Sequence, residues 1–263
     1  MNNACIGIVG FGMVGRAVGA WFPKAAIYSP HSRADGLAAV NAAEIIFICA
    51  PSPYSPQTGY DLNPIISSAK KLTGRKIIVL KSTVLPGTTA ALQRRFPKHT
   101  WLFNPEFLRD KTAAQDFRQP DRQIIGLARH TVAHRRAAQR IFRLLPRAPY
   151  QAVTTATEAE LIKLFANAFL ATKVVFSNMI YDVSRRLGAD YSAVKEGIGH
   201  DPRITTSMMK VLLDGYRGYS GKCFPKDMGA LIWYGRHKRR RFKLLETADA
   251  INWNLLPKSQ RKR

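Results

Sequence analysis

The sequence predicts an α/β fold in two parts: a doubly wound parallel sheet over residues 1–152, followed by an all-α domain over residues 153–256. In the first part, short apolar segments alternate with helical patterns, which is typical of a parallel sheet with helices on both faces. In the second part, residues 158–187 contain neither Pro nor Gly, and apolar residues recur at helical spacing. Residues 257–263 form a basic tail, which we expect to be disordered.

Six short apolar segments are the predicted strands of the sheet. The third segment does not alternate between apolar and polar residues, so we expect both of its faces to be buried. Helical patterns fall between most of the segments, which indicates crossover connections between parallel strands. The segments comprise residues 4–9, 25–28, 43–50, 76–80, 100–103 and 123–126.

The long predicted helix has recognisable ends. Thr155 followed by Glu158 fits a capping box, and Gly188 is a natural C-terminal stop. At about 1.5 Å per residue, this helix would be roughly 45 Å long and would expose apolar surface unless a second subunit covered it. We therefore expect a homodimer that forms through this helix. A loop rich in Gly and Ser/Thr is expected over residues 197–221.

The composition is that of an ordinary globular protein apart from its charge. No apolar run reaches 18 residues, so we expect no membrane association and a cytoplasmic location. Three cysteines cannot form a disulfide framework, and Cys5 and Cys49 are expected to be inert inside buried strands. The 41 Lys and Arg residues against 17 Asp and Glu residues give a net charge of +24, which favours anionic partners such as nucleotides, nucleic acid or an acidic surface.

A glycine motif follows the first predicted strand and opens a helix; it reads Gly10-Phe11-Gly12-Met13-Val14-Gly15. In this context Gly10 makes the tight turn, Gly12 lets the backbone approach a pyrophosphate, and Gly15 lets the helix pack on the strand. The pyrophosphate is then bound at the helix N-terminus. The motif predicts a Rossmann domain that binds NAD or NADP, the alternative being a Gly-rich turn without a ligand.

The end of the second predicted strand does not carry the acidic residue that often binds the ribose 2′-hydroxyl group. Residues 28–33 read Tyr-Ser-Pro-His-Ser-Arg instead. Ser29 and Arg33 could accept a 2′-phosphate, which would favour NADP. Ser29 could equally belong to a looser NAD site, so NAD is the predicted cofactor and NADP stays open.

Cys223 is the candidate nucleophile. Pro225 is a favourable first residue of a helix, so Cys223 should lie just before a helix N-terminus. There the helix dipole, together with Lys222 or Lys226, would favour the thiolate. The alternative is a buried structural cysteine, which its glycine and charged neighbours make less favourable. No metal site is expected.

Taken together, these residues resemble the UDP-glucose/GDP-mannose dehydrogenase family, whose members make nucleotide-sugar uronates. The resemblance covers nearly the whole chain, and several ordered motifs are far more specific than one. Its motifs are Gly10-Phe-Gly-Met-Val-Gly15, Ala50-Pro-Ser-Pro53, Gly59-Tyr-Asp61-Leu62, Lys81-Ser-Thr-Val-Leu-Pro-Gly-Thr88, Asn104-Pro-Glu-Phe-Leu108, Glu158-Ala-Glu-Leu-Ile-Lys163 with Asn167, Asp201-Pro-Arg203-Ile204, and Cys223-Phe-Pro-Lys-Asp227.

The resemblance implies a four-electron oxidation of a sugar primary alcohol by NAD or NADP. Cys223 would form a thiohemiacetal and then a thioester, which water hydrolyses. Lys163 and Asn167 match the family's oxyanion-stabilising pair. Glu106, Asp227 and Thr83 match residues that order or activate water, so the implied catalytic residues are Cys223, Lys163, Asn167, Asp227, Glu106 and Thr83.

The resemblance also implies binding residues. Arg203 matches an arginine that reaches the sugar from the neighbouring subunit in some relatives. Asp110 stands where relatives often have Glu, which puts its role in doubt. The cofactor would be bound by the glycine motif with Ser29, Arg33, Pro51, Ser52, Pro53, Ser82, Thr83 and Lys226, and the substrate by Phe107, Leu108, Arg109, Asp110, Lys163, Asn167, Arg203, Tyr219 and Gly221.

The sequence departs from the family in two respects. Family members usually continue for a further Rossmann-like domain that binds the nucleotide end of the substrate, so we interpret this chain as a short form without that domain. Three interpretations follow: a smaller substrate, a partner chain that supplies the missing lobe, or a basic surface that binds the diphosphate electrostatically. In addition, Ser220 replaces a usual second glycine beside Gly221.

Three function classes remain. The first is an NAD(P)-dependent dehydrogenase acting on a nucleotide sugar such as UDP-glucose. The second is a catalytically weakened, cofactor-binding module that needs a partner chain. The third is a nucleic-acid-binding protein, which the net charge alone suggests and which no recognition motif supports.

Overall fold

A computed structural model describes residues 5–30, 35–213 and 215–261. The chain divides into two compact units. The first unit comprises Met1–Pro53 and Tyr60–Lys163, and the second comprises Tyr54–Gly59 and Leu164–Arg263. This division falls inside the long helix, whereas the sequence analysis places the domain boundary just before it.

The first unit is built on a seven-stranded sheet in the order β2-β1-β3-β6-β7-β8-β9. Strands β2, β1, β3, β6 and β7 run parallel to one another. We call the edge at their carboxyl ends the carboxyl edge of the sheet and the opposite edge the amino edge. Two short strands, β4 and β5, pair separately. The strands are β1 (Ile6–Val9), β2 (Ala26–Tyr28), β3 (Ile45–Ile48), β4 (Tyr54–Ser55), β5 (Gly59–Tyr60), β6 (Ile77–Leu80), β7 (Thr100–Phe103), β8 (Arg122–Leu127) and β9 (Tyr150–Thr155).

Helices cover both faces of this sheet, so the central strands are buried on both sides. Ile46 and Ile48 of β3 contribute to one apolar cluster, whereas Ile45 and Phe47 contribute to the cluster on the opposite face. All four side chains are fully buried, as the lack of alternation in this segment predicts. The helices are α1 (Met13–Trp21), α2 (Leu37–Ala42), α3 (Asn63–Lys70), α4 (Thr88–Arg95), α5 (Ala113–Arg118) and α6 (Val132–Leu144).

The predicted doubly wound sheet is confirmed, but it is not wholly parallel. Strand β8 runs antiparallel to β7, and β9 runs parallel to β8. The sequence pattern predicts a parallel direction for β8 and no strand at β9, and both expectations are wrong. Direction depends on how the connection crosses the sheet, which the apolar pattern of a strand does not encode. The end of β8 therefore lies at the amino edge of the five parallel strands.

The second unit contains most of the long helix α7, which spans Ala156–Arg186. The predicted capping box is confirmed, since the Thr155 amide donates to Glu158 Oε2 at 2.7 Å and the Glu158 amide donates to Thr155 Oγ1 at 3.1 Å. Beyond the helix, Gly188 has a φ of +68°, as the predicted C-terminal stop requires. The remaining elements are α8 (Tyr191–Gly199), β10 (Leu212–Leu213), β11 (Tyr216–Arg217), α9 (Phe224–His237) and α10 (Lys243–Leu255).

Three expectations about the second unit need correction. The unit is not all-α, because β10 and β11 form an antiparallel hairpin. Helix α8 extends into the segment that the sequence analysis treated as a loop, and its N-terminus is capped by Asp190, which accepts a hydrogen bond from the Ser192 amide. The described part of the tail is ordered into a turn over Lys258–Gln260. No helix among the described residues is long and apolar enough to cross a membrane.

Candidate active site

The glycine loop has the geometry of a pyrophosphate site. Gly10 has a φ of +89°, and a Cβ there would lie 2.7 Å from the backbone oxygen of Cys49. At Gly15 a Cβ would lie 2.1 Å from the Gly10 oxygen, so only glycine lets α1 approach the strand this closely. At Gly12, which precedes α1, a Cβ would meet nothing within 4 Å. The residues therefore fit a dinucleotide: two glycines shape the loop and the third leaves the helix N-terminus accessible.

The ribose end of the predicted site is described in part. Ser29 follows β2 and is half-buried, whereas Arg33 lies outside the described residues. A carboxylate that the sequence analysis overlooked lies near this strand: Asp35 Oδ2 accepts a hydrogen bond from the Ile27 amide at 2.9 Å. Asp35 is thus engaged by the edge strand, and the choice between NAD and NADP stays a prediction at this position.

The loops after β3 and β6 are bound to each other at the carboxyl edge. Ser52 Oγ donates to the Thr83 carbonyl at 2.6 Å, and Ser82 Oγ donates to the Ala50 carbonyl at 2.6 Å. Ser52, Ser82 and Thr83 are buried, while Pro51 and Pro53 are exposed. These two hydrogen bonds fix the loop after β3 relative to the loop after β6, and both loops contain predicted cofactor-binding residues. Strand β3 pairs with β1, which leads into the glycine loop.

Lys81 is a buried cation that the sequence analysis did not single out. Its Nζ donates to Asn104 Oδ1 at 2.7 Å, and Asn104 Nδ2 donates in turn to the Ile124 carbonyl at 2.8 Å. Burial lowers the pKa of Lys81 to about 8. An ammonium group directly after an apolar strand was the available signal, because a buried Lys requires a dedicated partner.

Glu106 and Lys163 form a buried ion pair in the first unit. Lys163 Nζ lies 2.7 Å from Glu106 Oε1, and the side chains are 5% and 8% exposed respectively. The Leu108 amide donates to Glu106 Oε2 at 2.8 Å, and the ring of Phe107 lies 5.6 Å from Lys163 Nζ. Two residues that the family resemblance selected separately are therefore direct partners, and each neutralises the other away from water.

Glu160 is a second buried carboxyl group that the sequence analysis missed. It lies one turn before Lys163 on α7 and accepts hydrogen bonds from the Gly87 amide at 2.6 Å and the Thr89 amide at 2.8 Å. These donors belong to the N-terminus of α4, where a carboxylate is favourable. Burial nevertheless raises the pKa of Glu160 to about 7. The motif around Lys163 contained this residue, but its partner is 71 positions away.

The other predicted substrate residues of the first unit are more exposed. Arg109 pairs with Asp116 at 2.5 Å, and its hydrogen bonds lower the pKa of Asp116 to about 2. Asp110 begins a short 3-10 turn and is exposed, and Leu108 is half-buried. Arg109 is therefore already paired with a carboxylate. A role of Leu108, Arg109 and Asp110 in binding substrate stays a prediction.

In the second unit, Cys223 is the residue that precedes α9, as predicted from Pro225. Asp227, one turn into the helix, is buried and accepts hydrogen bonds from Asn167 Nδ2 at 2.6 Å and Lys226 Nζ at 2.5 Å. Three of the predicted site residues thus form one cluster. The cluster fixes the first turn of α9 and with it the position of Cys223.

The loop before Cys223 is held by a residue that the sequence analysis missed. Asn252 of α10 accepts a hydrogen bond from the Tyr219 amide at 2.7 Å and donates to the Tyr219 carbonyl at 3.0 Å. Gly218 and Gly221 have φ values of +82° and +81°, so the chain turns on both sides of Tyr219. Ser220 bonds to Tyr216 in the same loop. No local pattern marks Asn252, because its partner lies 33 residues away.

Arg203 lies outside this cluster. It is 87% exposed and pairs with Asp201, with Arg203 Nη2 at 2.6 Å from Asp201 Oδ2. The structure gives Arg203 no partner other than Asp201 among the described residues. Its contact with a sugar in a neighbouring subunit stays a prediction.

The other two cysteines differ from each other. Cys49 was expected inside a buried strand, but it follows β3 and is half-buried. Burial raises the pKa of its thiol to about 12, which keeps it protonated at neutral pH. Cys5 was expected inside a buried strand, and this is wrong: it precedes β1 and is exposed. Within the described ranges, no group of three His, Cys, Asp or Glu residues could hold a metal ion.

Comparison with protein families matches both units. Residues 31–145 match the NAD binding domain of the UDP-glucose/GDP-mannose dehydrogenase family, and residues 157–254 match the central domain of the same family. The glycine loop precedes the first matched range. The first match confirms the predicted cofactor, NAD, and both confirm the resemblance on which the site residues were selected.

Individual relatives agree with the family match. The chain is 37% identical over 228 residues to UDP-glucose 6-dehydrogenase TuaD of Bacillus subtilis, covering 81% of this chain and 47% of the relative. It is 35% identical over 229 residues to UDP-glucose 6-dehydrogenase of Rhizobium meliloti, covering 82% of this chain and 51% of the relative. The chain thus spans about half the length of the curated relatives it matches.

Solved structures show the same architecture. A UDP-glucose dehydrogenase from the hyperthermophilic archaeon Pyrobaculum islandicum superimposes with a TM-score of 0.82 at 29% identity, covering 95% of this chain and 68% of that chain. A UDP-D-ManNAc dehydrogenase from Pyrococcus horikoshii has a TM-score of 0.81 at 18% identity, covering 95% of this chain and 68% of that chain, and so shares the fold. With both domain models matched in order along its length, this chain belongs to the UDP-glucose/GDP-mannose dehydrogenase family.

Proposed function

We propose that this chain catalyses the NAD-dependent, four-electron oxidation of the primary alcohol of a nucleotide sugar such as UDP-glucose to the uronate. The observation that carries the proposal is the arrangement in the second unit. Cys223 precedes α9, and the buried Asn167–Asp227–Lys226 cluster fixes the first turn of that helix. A thiol at a helix N-terminus is favoured as thiolate, the form that attacks a carbonyl carbon.

In the first oxidation, the alcohol carbon loses hydride and the alcohol oxygen loses a proton, which gives an aldehyde. Bound NAD⁺ supplies the hydride acceptor in each of the two oxidations. We assign Lys163 and Asn167 to the sugar oxygen, where negative charge develops. The ion pair with Glu106 supports this role, because it holds Lys163 in a fixed position away from water.

The second oxidation uses Cys223 covalently. The thiolate adds to the aldehyde carbon, and the resulting thiohemiacetal oxygen takes up a proton. Loss of that proton and of the remaining hydrogen as hydride then gives a thioester. The covalent bond keeps the aldehyde attached while its last C–H bond is presented for oxidation.

Hydrolysis completes the reaction. Water adds to the thioester carbon, the C–S bond breaks, and the products are a carboxylate, the regenerated Cys223 thiolate and two protons. We assign Glu106, Asp227 and Thr83 to the water that attacks. Each carboxylate is buried, with a neighbouring cation at 2.7 Å or less, which supports a defined position for proton transfer.

The test measures reduced cofactor and uronate formed from NAD⁺ and UDP-glucose by the wild-type chain and by Cys223→Ser. Two equivalents of NADH per uronate are expected for the wild type. Because Ser is a far weaker nucleophile, Cys223→Ser should lose at least about a thousandfold in uronate formation. Cys5→Ser is the matched control, since Cys5 is exposed and precedes β1.

Two outcomes would contradict the proposal. Uronate formation by Cys223→Ser at the wild-type rate would exclude the thioester route. Failure of the wild-type chain to reduce NAD⁺ with UDP-glucose, GDP-mannose or another nucleotide sugar would exclude the dehydrogenase activity of this chain by itself. Folding of the Ser variant is checked by its thermal unfolding.

We further propose that two copies of the chain associate through α7. Large apolar side chains on this helix stand exposed at a spacing of three, four or seven residues: Phe165, Phe169, Phe176, Met179 and Val183. Phe169 is 70% exposed and Phe176 is 55% exposed, which is unfavourable unless another surface covers them. Light scattering should give twice the 29.4 kDa chain mass for the wild type and for Leu244→Glu. Phe169→Glu/Phe176→Glu should be monomeric, and a dimeric double variant would refute the interface.

A further inference from the structure

A basic cavity lies at the amino edge of the first unit's sheet, the edge opposite the glycine loop. Its volume is about 400 Å³, and its lining includes the first residues of β6 and β7, Ile77 and Thr100. Volumes of this size accommodate small ligands. None of the residues assigned to the proposed dehydrogenase reaction lines it, so the cavity is separate from that site.

Four cations surround this cavity: Arg75, Lys76, Lys98 and Arg129. Across residues 5–30, 35–213 and 215–261, none of the four has an ion pair with a carboxylate. Lys76 Nζ donates to the Asn41 carbonyl at 2.6 Å. Like charges that converge on one concavity repel each other, and a bound anion would relieve that repulsion.

The carboxylate that lines the cavity is already engaged. Glu44 makes a two-pronged pair with Arg140, with Arg140 Nη2 at 2.7 Å from Glu44 Oε2. The Arg140 guanidinium, through its hydrogen bonds, holds the pKa of Glu44 below its usual range. Glu44 is satisfied by a residue outside the cavity lining, and the charge of Lys76 also lowers its pKa. The excess positive charge of the cavity therefore lies on Arg75, Lys98 and Arg129.

His99 supplies a second, independent observation. It lines the cavity, is only 2% exposed, and neither of its ring nitrogens has a hydrogen-bond partner in the described part of the chain. Burial and the charge of Lys98 lower its pKa to about 4, so at neutral pH its ring carries one N–H donor and one lone pair. An unsatisfied buried donor is unfavourable, and a hydrogen bond from it to a ligand would remove that cost.

The neighbouring histidine shows the contrast. His134 also lines the cavity, but its Nε2 lies 2.9 Å from Gln93 Oε1 and its Nδ1 lies 2.7 Å from Thr131 Oγ1. Thr131 precedes the 13-residue helix α6 and caps it, since Thr131 Oγ1 accepts a hydrogen bond from the His134 amide at 3.3 Å, so the capped N-terminus of this helix also lies at the cavity. Helix N-termini favour anions, which adds to the effect of the cations and of His99.

We propose that this cavity binds a small anion that carries a phosphoryl group, with Arg75, Lys98 and Arg129 as charge partners and the His99 ring N–H as a buried donor. The concave shape and the buried imidazole favour a compact anion over a nucleic-acid strand, which would contact exposed cations along a surface. Free phosphate and a nucleotide share the same phosphoryl chemistry, and the experiment below distinguishes them.

The test is calorimetric titration of the full chain with inorganic phosphate, pyrophosphate and ADP in chloride buffer at constant ionic strength. The cavity variant is Arg75→Gln/Arg129→Gln. The control is Arg118→Gln/Arg147→Gln, which removes the same charge from two exposed residues outside the cavity lining. Phosphate should bind the wild type and the control alike, and the cavity variant at least about tenfold more weakly, which corresponds to about 1.4 kcal/mol.

A second measurement reports on His99 without a charge variant. In protein labelled with ¹⁵N-histidine, phosphate should shift the ring-nitrogen signals of one histidine, which are assigned by their loss in His99→Gln. Tighter binding of ADP than of phosphate, lost in the cavity variant, would identify a nucleotide as the ligand. The reverse order would identify the free inorganic ion.

The proposal fails if phosphate binds the cavity variant and the control with equal affinity, since the anion would then bind elsewhere. It also fails if the His99 signals do not move at saturating phosphate. Retention of a single-stranded oligonucleotide without any response to phosphate or pyrophosphate would assign the basic residues to nucleic-acid binding instead.

Discussion

The cations at the two edges of the first unit's sheet differ in whether they have partners within the chain. At the carboxyl edge, Lys81 is bound by Asn104 and Lys163 is paired with Glu106, so each buried cation has a partner within the chain. At the amino edge, Arg75 and Lys98 line a cavity without an ion pair among the described residues. The contrast shows that the chain provides a partner for each buried cation near the proposed reaction site, by a carboxylate for Lys163 and a neutral amide for Lys81, and provides no carboxylate for Arg75 and Lys98 where we propose an external anion.

The largest expected effect comes from breaking the buried pair at the carboxyl edge. Lys163→Met leaves the Glu106 carboxylate buried without its cation, so the free energy of unfolding should fall by about 3–5 kcal/mol. Urea denaturation measures this loss. The double variant Lys163→Met/Glu106→Gln removes both charges and should recover part of it. A single variant as stable as the wild type would show that Glu106 does not depend on Lys163.

The next effect concerns the Glu160 carboxyl group and its pH dependence. The pKa of Glu160 is about 7 in the folded protein and 4.5 in the unfolded chain. Between these pH values Glu160 is therefore protonated in the folded state and ionised in the unfolded state. Stability is therefore full below about pH 4.5 and declines as pH rises toward 7, by up to about 3 kcal/mol at about 1.4 kcal/mol per unit. Glu160→Gln cannot ionise and should lack this decline.

The control for that prediction lies two residues away. Hydrogen bonds from the Thr155 backbone and hydroxyl hold the pKa of Glu158 below its usual value, so Glu158→Gln should leave the decline in place. Chemical denaturation at a series of pH values from 4 to 8 measures all three proteins. Parallel curves for the wild type and Glu160→Gln would contradict the assigned shift.

The smallest effect is expected at the amino edge and has the opposite sign. Lys98→Gln removes one of several repelling cations, so the melting temperature should rise slightly in phosphate-free buffer of low ionic strength. The gain should shrink as NaCl screens the repulsion, and it should reverse when phosphate is present. A melting temperature that falls in phosphate-free buffer would mean that Lys98 has a stabilising partner at this edge.

Much of the candidate site could be predicted because its signals are local. Gly10, Gly12 and Gly15 have distinct tasks that follow from their spacing, and the turn, the close approach and the open position are all observed. The capping box at Thr155 and the placement of Cys223 before α9 likewise depend on residues within one helical turn.

The supporting residues could not be predicted because their partners are distant in sequence. Lys81 binds a residue 23 positions away, Asn252 binds the backbone 33 positions away, and Glu160 caps a helix 71 positions away. The family resemblance named Glu106 and Lys163 as separate residues. Only the tertiary packing within the first unit, to which the first residues of α7 belong, brought them together as an ion pair.

The sequence by itself determined the doubly wound sheet, the long helix and the position of the candidate nucleophile, since each depends on periodicity or on residues near a helix end. The tertiary structure alone decided the direction of β8. Because β8 runs antiparallel to β7, Arg129 at its end lies at the amino edge with Arg75 and Lys98. Strand direction follows from how a connection crosses the sheet, and no pattern within the strand encodes it.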